Sequence, residues 1–181
     1  MKEFIKNEMM VHIPLCSHKE PKNILIISDN SNKYENEVAK HTKISCVNIK
    51  NSLDALSKLE DDSFDVIISD VSADALMSSQ INRILKSDGL LATNHSSLDN
   101  IDENKSYMNI LSSYFKIIMP YNLGDGSTAL LSSKEYHPTA DLILQRADML
   151  DDLDYYNCDV HIASFAMGNY IRKEYLGVIK N

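Results

Sequence analysis

The chain has 181 residues, 18 Lys and Arg against 26 Asp and Glu, a net charge of −8 and 44% apolar residues, which suits one domain over 1–181 with a substantial core. A pI near 5.1 with scattered cations excludes a phosphate-tracking nucleic-acid binder, and no apolar run approaches the roughly 18 residues of a membrane span or follows residues 1–3 as a signal peptide would. Cys16, Cys46 and Cys158 lie far apart, which excludes a local zinc knuckle or a disulfide framework and points to free thiols in a reducing cytoplasm.

Residues 3–13 read as a short helix with Ile5, Met9 and His12/Ile13 on one stripe, broken by Pro14 and Pro21. The apolar run 23–28 has strand length and suits a buried parallel strand. Residues 31–41 show weak helical spacing through Tyr34 and Val38, 44–49 a second strand, 52–59 a short helix, and 64–69 a third strand that ends at Asp70. Helical spacing returns at Met77, Ile81, Ile84 and Leu85, with Lys86 to Gly89 read as the closing turn. A fourth strand over 90–94 precedes a helical stripe at Tyr107, Ile110/Leu111 and Tyr114. Strands 116–119 and 127–132, joined by a loop, form an antiparallel hairpin, followed by helices over 142–150 and about 159–175. This order predicts a three-layer α/β domain with a mainly parallel sheet ending in the hairpin, and with 24–27, 66–68 and 90–92 at its buried centre.

The residues match a known family at several places. Glu8-Met9-Met10-Val11-His12-Ile13-Pro14-Leu15, the strand Asn23-Ile24-Leu25-Ile26-Ile27, Phe64-Asp65-Val66-Ile67-Ile68-Ser69-Asp70 and above all Tyr155-Tyr156-Asn157-Cys158-Asp159-Val160-His161 resemble the spermidine synthase family over nearly all of the chain. The resemblance implies a methyltransferase-type Rossmann domain that transfers an aminopropyl group from decarboxylated S-adenosylmethionine, as co-substrate rather than tightly held cofactor, to a diamine such as putrescine. It implies a small polyamine or nucleoside ligand, leaves a homodimer open, and assigns Asp70 to orient the amine and take its proton. The family's small N-terminal β domain is expected to be missing.

The donor-binding residues depart from the family. All five glycines lie at or beyond position 89, so the family's glycine-rich turn becomes Ser28, Asp29, Asn30, Ser31, Asn32 and Lys33, with Ser31 at its acidic position. Asn48 stands where the family has a ribose-binding acid, and Asn51-Ser52 is the nearest relic of the adenine-contacting turn. The segment 49–64 is too short for a further strand, and Lys6-Asn7 replace a substrate-pocket pair. The Asn48 amide can still accept one hydrogen bond but cannot act as a bidentate anionic acceptor.

Each remaining candidate has two readings. Asp70 is the proton acceptor or an Asx-turn cap, and an exposed turn would make Asp70→Asn nearly neutral for stability. Asp74 binds substrate as the family's second aspartate or supplies charge to a helix N-terminus. Tyr121, in a loop after Met119-Pro120, faces substrate or packs on the domain. Tyr155, Tyr156 and His161 carry the signature or pack at a helix start; Asp148, Asp151, Asp152 and Asp154 attract a polyamine or form a solvated turn. The six histidines show no metal-ligand spacing. Three functions stay open: an aminopropyltransferase, a catalytically degenerate relative that binds a ligand or partner, and an S-adenosylmethionine-dependent, methyltransferase-like enzyme.

Overall fold

A computed structural model describes residues 3–181. The elements run α1 (Glu3–Ser17), β1 (Asn23–Ile27), α2 (Asn32–Val38), β2 (Ser45–Ile49), α3 (Leu53–Ser57), β3 (Phe64–Ser69), α4 (Ala75–Ile84), β4 (Leu85–Asn94), α5 (Ile101–Leu111), β5 (Ile117–Asn122), β6 (Thr128–Ser133), α6 (Leu144–Asp148), α7 (Cys158–Ser164) and α8 (Asn169–Glu174). Six strands form one sheet in the order β2-β1-β3-β4-β6-β5. The first four are parallel, and β6 and β5 join antiparallel. This is the Rossmann-like sheet with terminal hairpin that the sequence predicts.

The period-2 alternation of strand side chains divides the core into two layers. Ile24, Ile26, Val66, Ile68, Leu90 and Ala92 pack with Met9, Ile13, Tyr34 and Tyr156 on one face. Leu25, Ile27, Ile67 and Leu91 pack with Leu56, Ile81, Met108 and Tyr175 on the other. Every residue of β3 is buried, as a central strand covered on both faces requires. The strand β2 is the open edge, with Val47 41% exposed. At the opposite edge Pro120 sits in β5, where a missing N–H is tolerated, and Ile118 bridges to Lys180.

Three local expectations are corrected. The first helix continues through Pro14 to Ser17. Arg146 holds it: the guanidinium donates to Leu15 O at 2.6 Å, His18 O at 2.6 Å and Lys19 O at 2.9 Å, satisfying carbonyls at the helix end. Lys86 to Gly89 is not a turn but part of β4, whose pairing jumps from Phe64↔Leu85 to Val66↔Leu90. Gly89 fits that bulge because a Cβ there would lie 2.7 Å from Leu85 Cδ2 and 3.1 Å from Lys86 O. The last helix is two, α7 and α8. Phe165 packs in one core layer while Ile171 and Tyr175 pack in the other, so the chain must bend between them.

Candidate functional site

The strand order creates the site. The chain leaves β1 toward β2 and then returns across it to β3, so β1 and β3 flank the topological switch point, where open α/β sheets bind ligands at their carboxyl ends. Ser28 follows β1 and Asp70 follows β3, and the Asp70 N–H donates to Ile27 O at 3.1 Å. That bond continues the β1–β3 ladder and sets the two side chains side by side.

Asp70 is tied into the protein through both carboxylate oxygens. Ser28 Oγ donates to Oδ2 and the Tyr34 hydroxyl donates to Oδ1, both in short hydrogen bonds. Lys33 Nζ lies 3.3 Å from Oδ2, with the two side chains 20% and 18% exposed. Asn94, at the end of β4, donates its amide to Asp70 O. Tyr34 is fully buried, and burial, with Asp70 beside it, raises its phenol well above the ordinary tyrosine range. Asp70 is therefore no exposed turn cap, and the expectation that an amide would replace it at little cost to stability is corrected.

The turn after β1 satisfies itself without glycine. Ser28 Oγ accepts from Asn30 N at 3.0 Å, and Ser31 Oγ donates to Glu35 Oε1 at 2.6 Å. Asp29 and Asn30 are exposed. Asn48 and Asn51 are exposed too, Asn48 on the edge strand opposite Ile26 and Asn51 before α3, so no carboxylate marks the end of β2. Asp74 caps α4, accepting from Met77 N at 2.8 Å. It also lines a cleft of about 390 Å³ with Glu103, Ser96, Asn104 and Tyr107, beside the carboxyl ends of β3 and β4. Tyr121 lies in β5, not in a loop, and is fully buried with its hydroxyl 3.5 Å from Met10 Sδ. Burial raises its phenol above the usual range. The structure thus brings Ser28 and Asp70 together and leaves Asn48, Asn51, Asp74 and Tyr121 elsewhere.

Lys33, Tyr34 and Asn94 complete the group around Asp70; sequence reasoning put Lys33 in the donor turn rather than beside Asp70 and missed Tyr34 and Asn94. The available signal was positional: two polar-tipped residues open the helix after β1, and an amide ends the strand beside β3.

The signature residues have structural partners. Glu8, 2% exposed, accepts from the N–H groups of Asp154, Tyr155 and Tyr156 at 3.0, 2.9 and 2.8 Å, which joins the first and last family motifs. Tyr155 lies over Gly124, where a Cβ would fall 2.2 Å from its hydroxyl. His161 has its Nδ1 2.7 Å from the Tyr156 hydroxyl and its Nε2 3.0 Å from Pro138 O. A carbonyl can only accept, so Nε2 carries the proton and Nδ1 accepts from Tyr156. Burial lowers the His161 pKa to about 4.

At the amino end of the sheet, the nearest ligand-bearing atoms of His18, Asp65 and Asp88 lie within 4.8 Å of one another. They do not suit a metal ion. Glu20 N donates to His18 Nδ1 at 3.1 Å, which puts the proton on Nε2, the atom that would have to ligate. Lys86 Nζ, 2.8 Å from Asp65 Oδ1, already supplies a cation. Among the described residues no helix is long and apolar enough to cross a membrane.

This sheet order, with its crevice at β1 and β3, defines a methyltransferase-type Rossmann domain. The fold is shared with the spermidine synthase of Thermotoga maritima, at a TM-score of 0.84 and 24% identity over 98% of this chain and 75% of that one. A Haemonchus contortus phosphoethanolamine methyltransferase shares it more loosely, at a TM-score of 0.52 and 16% identity over 75% of this chain and 38% of that one. In sequence, the spermine/spermidine synthase domain matches residues 3–53. The polyamine aminopropyltransferase of Helicobacter acinonychis is 26% identical over 90% of this chain and 73% of its own. That of Thermoanaerobacter sp. is 26% identical over 94% and 77%. The chain is thus similar in sequence, at about a quarter identity, to polyamine aminopropyltransferases, and shares its fold with spermidine synthase.

Proposed function

We propose that the site carries out aminopropyl transfer of the spermidine synthase kind. A neutral primary amine of a diamine such as putrescine attacks the aminopropyl carbon beside the sulfonium of decarboxylated S-adenosylmethionine. The C–N bond forms as the C–S bond breaks, the thioether leaves neutral, and the new ammonium gives up a proton to Asp70. The observation that carries the reading is Asp70 at the β1/β3 switch point, held by Ser28 and Tyr34. A fixed acceptor of this kind contributes roughly 10²–10⁴ in rate. A separate cleft beyond the end of β3, lined by Asp74 and Glu103, offers further carboxylates to a cationic diamine. Polyamine aminopropyltransferases as relatives, and a spermidine synthase neighbour solved with the transition-state analogue AdoDATO, support the same chemistry.

The donor side favours a second reading, a relative that binds without turning over. Asn48 and Asn51 are exposed amides and Ser31 is engaged by Glu35. Loss of a charged hydrogen bond of about 1.5–3 kcal/mol lowers donor affinity about tenfold or more. The methyltransferase-like alternative has the fold alone behind it. The three free thiols suit a cytoplasmic setting, and the open edge of β2 leaves room for a homodimer. Calorimetric titration with decarboxylated S-adenosylmethionine, followed by chromatography for spermidine, separates the readings. Donor binding with product supports transfer; donor binding without product leaves the second reading, and absence of both rejects the first.

A further inference from the structure

Lys33 places an ammonium where an amine substrate would have to go. Its Nζ sits 3.3 Å from Asp70 Oδ2 and 4.7 Å from the Tyr34 ring centroid. A carboxylate and an aromatic face are the two features that bind an alkyl ammonium. The hydroxyls of Ser28 and Tyr34 occupy the rest of the Asp70 carboxylate, so its remaining acceptor capacity faces Lys33. Two cations cannot share that position without like-charge repulsion. Lys33 sits at the start of α2 on a four-carbon stem and is 20% exposed, so its head can swing into solvent while the helix stays in place.

We propose that Lys33 is a built-in competitor for the acceptor amine: its ammonium occupies the cation position beside Asp70, and a diamine binds there only by displacing it. The proposal rests on the aminopropyl-transfer reading for the identity of the ligand and not for its test. Removing the Lys33 charge leaves Asp70 with two hydroxyl donors, an aromatic face and no internal cation, which is a better ammonium site than the parent has.

The test is calorimetric titration of putrescine into the parent, Lys33→Met, Lys33→Gln and the double variant Lys33→Met/Asp70→Asn, with circular dichroism to confirm folding. Both single variants are expected to bind putrescine at least tenfold more tightly than the parent, with the gain lost in the double variant. Uncharged 1,4-butanediol should show no such gain. Affinity within twofold of the parent in the folded single variants overturns the proposal, as does a gain that survives Asp70→Asn. A transfer assay on the same proteins separates this from the functional reading. Tightened putrescine binding with no product in any variant rejects aminopropyl transfer and supports the assignment of Lys33. Product from the parent with unchanged affinity in Lys33→Met does the reverse.

Discussion

Glu8→Gln tests whether a single buried carboxylate joins the two ends of the chain. Glu8 Oε2 accepts from Tyr155 N and Tyr156 N, and Oε1 from Asp154 N, in a place 2% exposed to solvent. Glutamine keeps the shape but can present only one accepting oxygen. Its amide then faces either one or two backbone N–H donors, each left without a partner at about 1–3 kcal/mol. The favourable orientation gives up one bond, and weakening of the remaining charge-assisted bonds adds to the loss. The expected destabilisation is about 2–4 kcal/mol, or roughly 5–15 °C in Tm for a chain of this size. Urea and thermal unfolding followed by circular dichroism measure it. A Glu8→Gln protein within about 0.5 kcal/mol of the parent would refute the clamp.

Asp70→Asn should lower any aminopropyl transfer at least a hundredfold and, because it leaves Lys33 without its carboxylate and weakens the Ser28 and Tyr34 bonds, cost about 1–3 kcal/mol in unfolding; near-parental activity would remove Asp70 from the chemistry. The stability of the parent should fall between pH 6.5 and about 4, since burial lowers the His161 pKa to about 4, the unfolded chain binds the proton first, and the folded state loses stability as pH falls through that window. The His161 contribution is about 3 kcal/mol at most, and urea midpoints that stay flat from pH 7 to 4.5 would contradict it. Gly89→Ala should destabilise by about 1–3 kcal/mol, because the added methyl meets Leu85 Cδ2 and backbone oxygens in the β4 bulge; an unchanged unfolding midpoint would show that the bulge relaxes freely.

The strands were legible because their runs are apolar on both faces, a pattern that only a covered parallel sheet satisfies: 24–27, 66–68 and 90–92 are all fully buried. The extension of α1 past Pro14 was not legible, because Arg146 secures it from more than a hundred residues away. The bend at 165–168 depends on which core layer each side chain enters, and helical spacing alone carries no such information. At the site, Asp70 could be found because it ends an unmistakable strand. Lys33 and Tyr34 looked like an ordinary helix start, and their partner lies 36 or 37 positions on. The role of Glu8 could not be seen in residue types at all, since its three partners are backbone amides.

The span of that clamp bears on how the protein is made. The partners of Glu8 follow it by 146 to 148 positions, and α1 between them carries Met9, Met10, Val11, Ile13 and Leu15, all fully buried in the finished fold. Ribosomes add roughly 5–20 residues per second, so the Glu8 carboxylate waits on the order of ten seconds or more for these amides, although α1 can pack on α2, β3 and β4 well before then. During that interval the sheet can assemble around β1 and β3 against the apolar face of α1, while the Glu8 carboxylate still lacks its backbone partners. Closing of the Tyr155-Tyr156 segment onto Glu8 therefore follows completion of the sheet, whose last strand ends at Ser133, and locks the first helix against the last part of the chain.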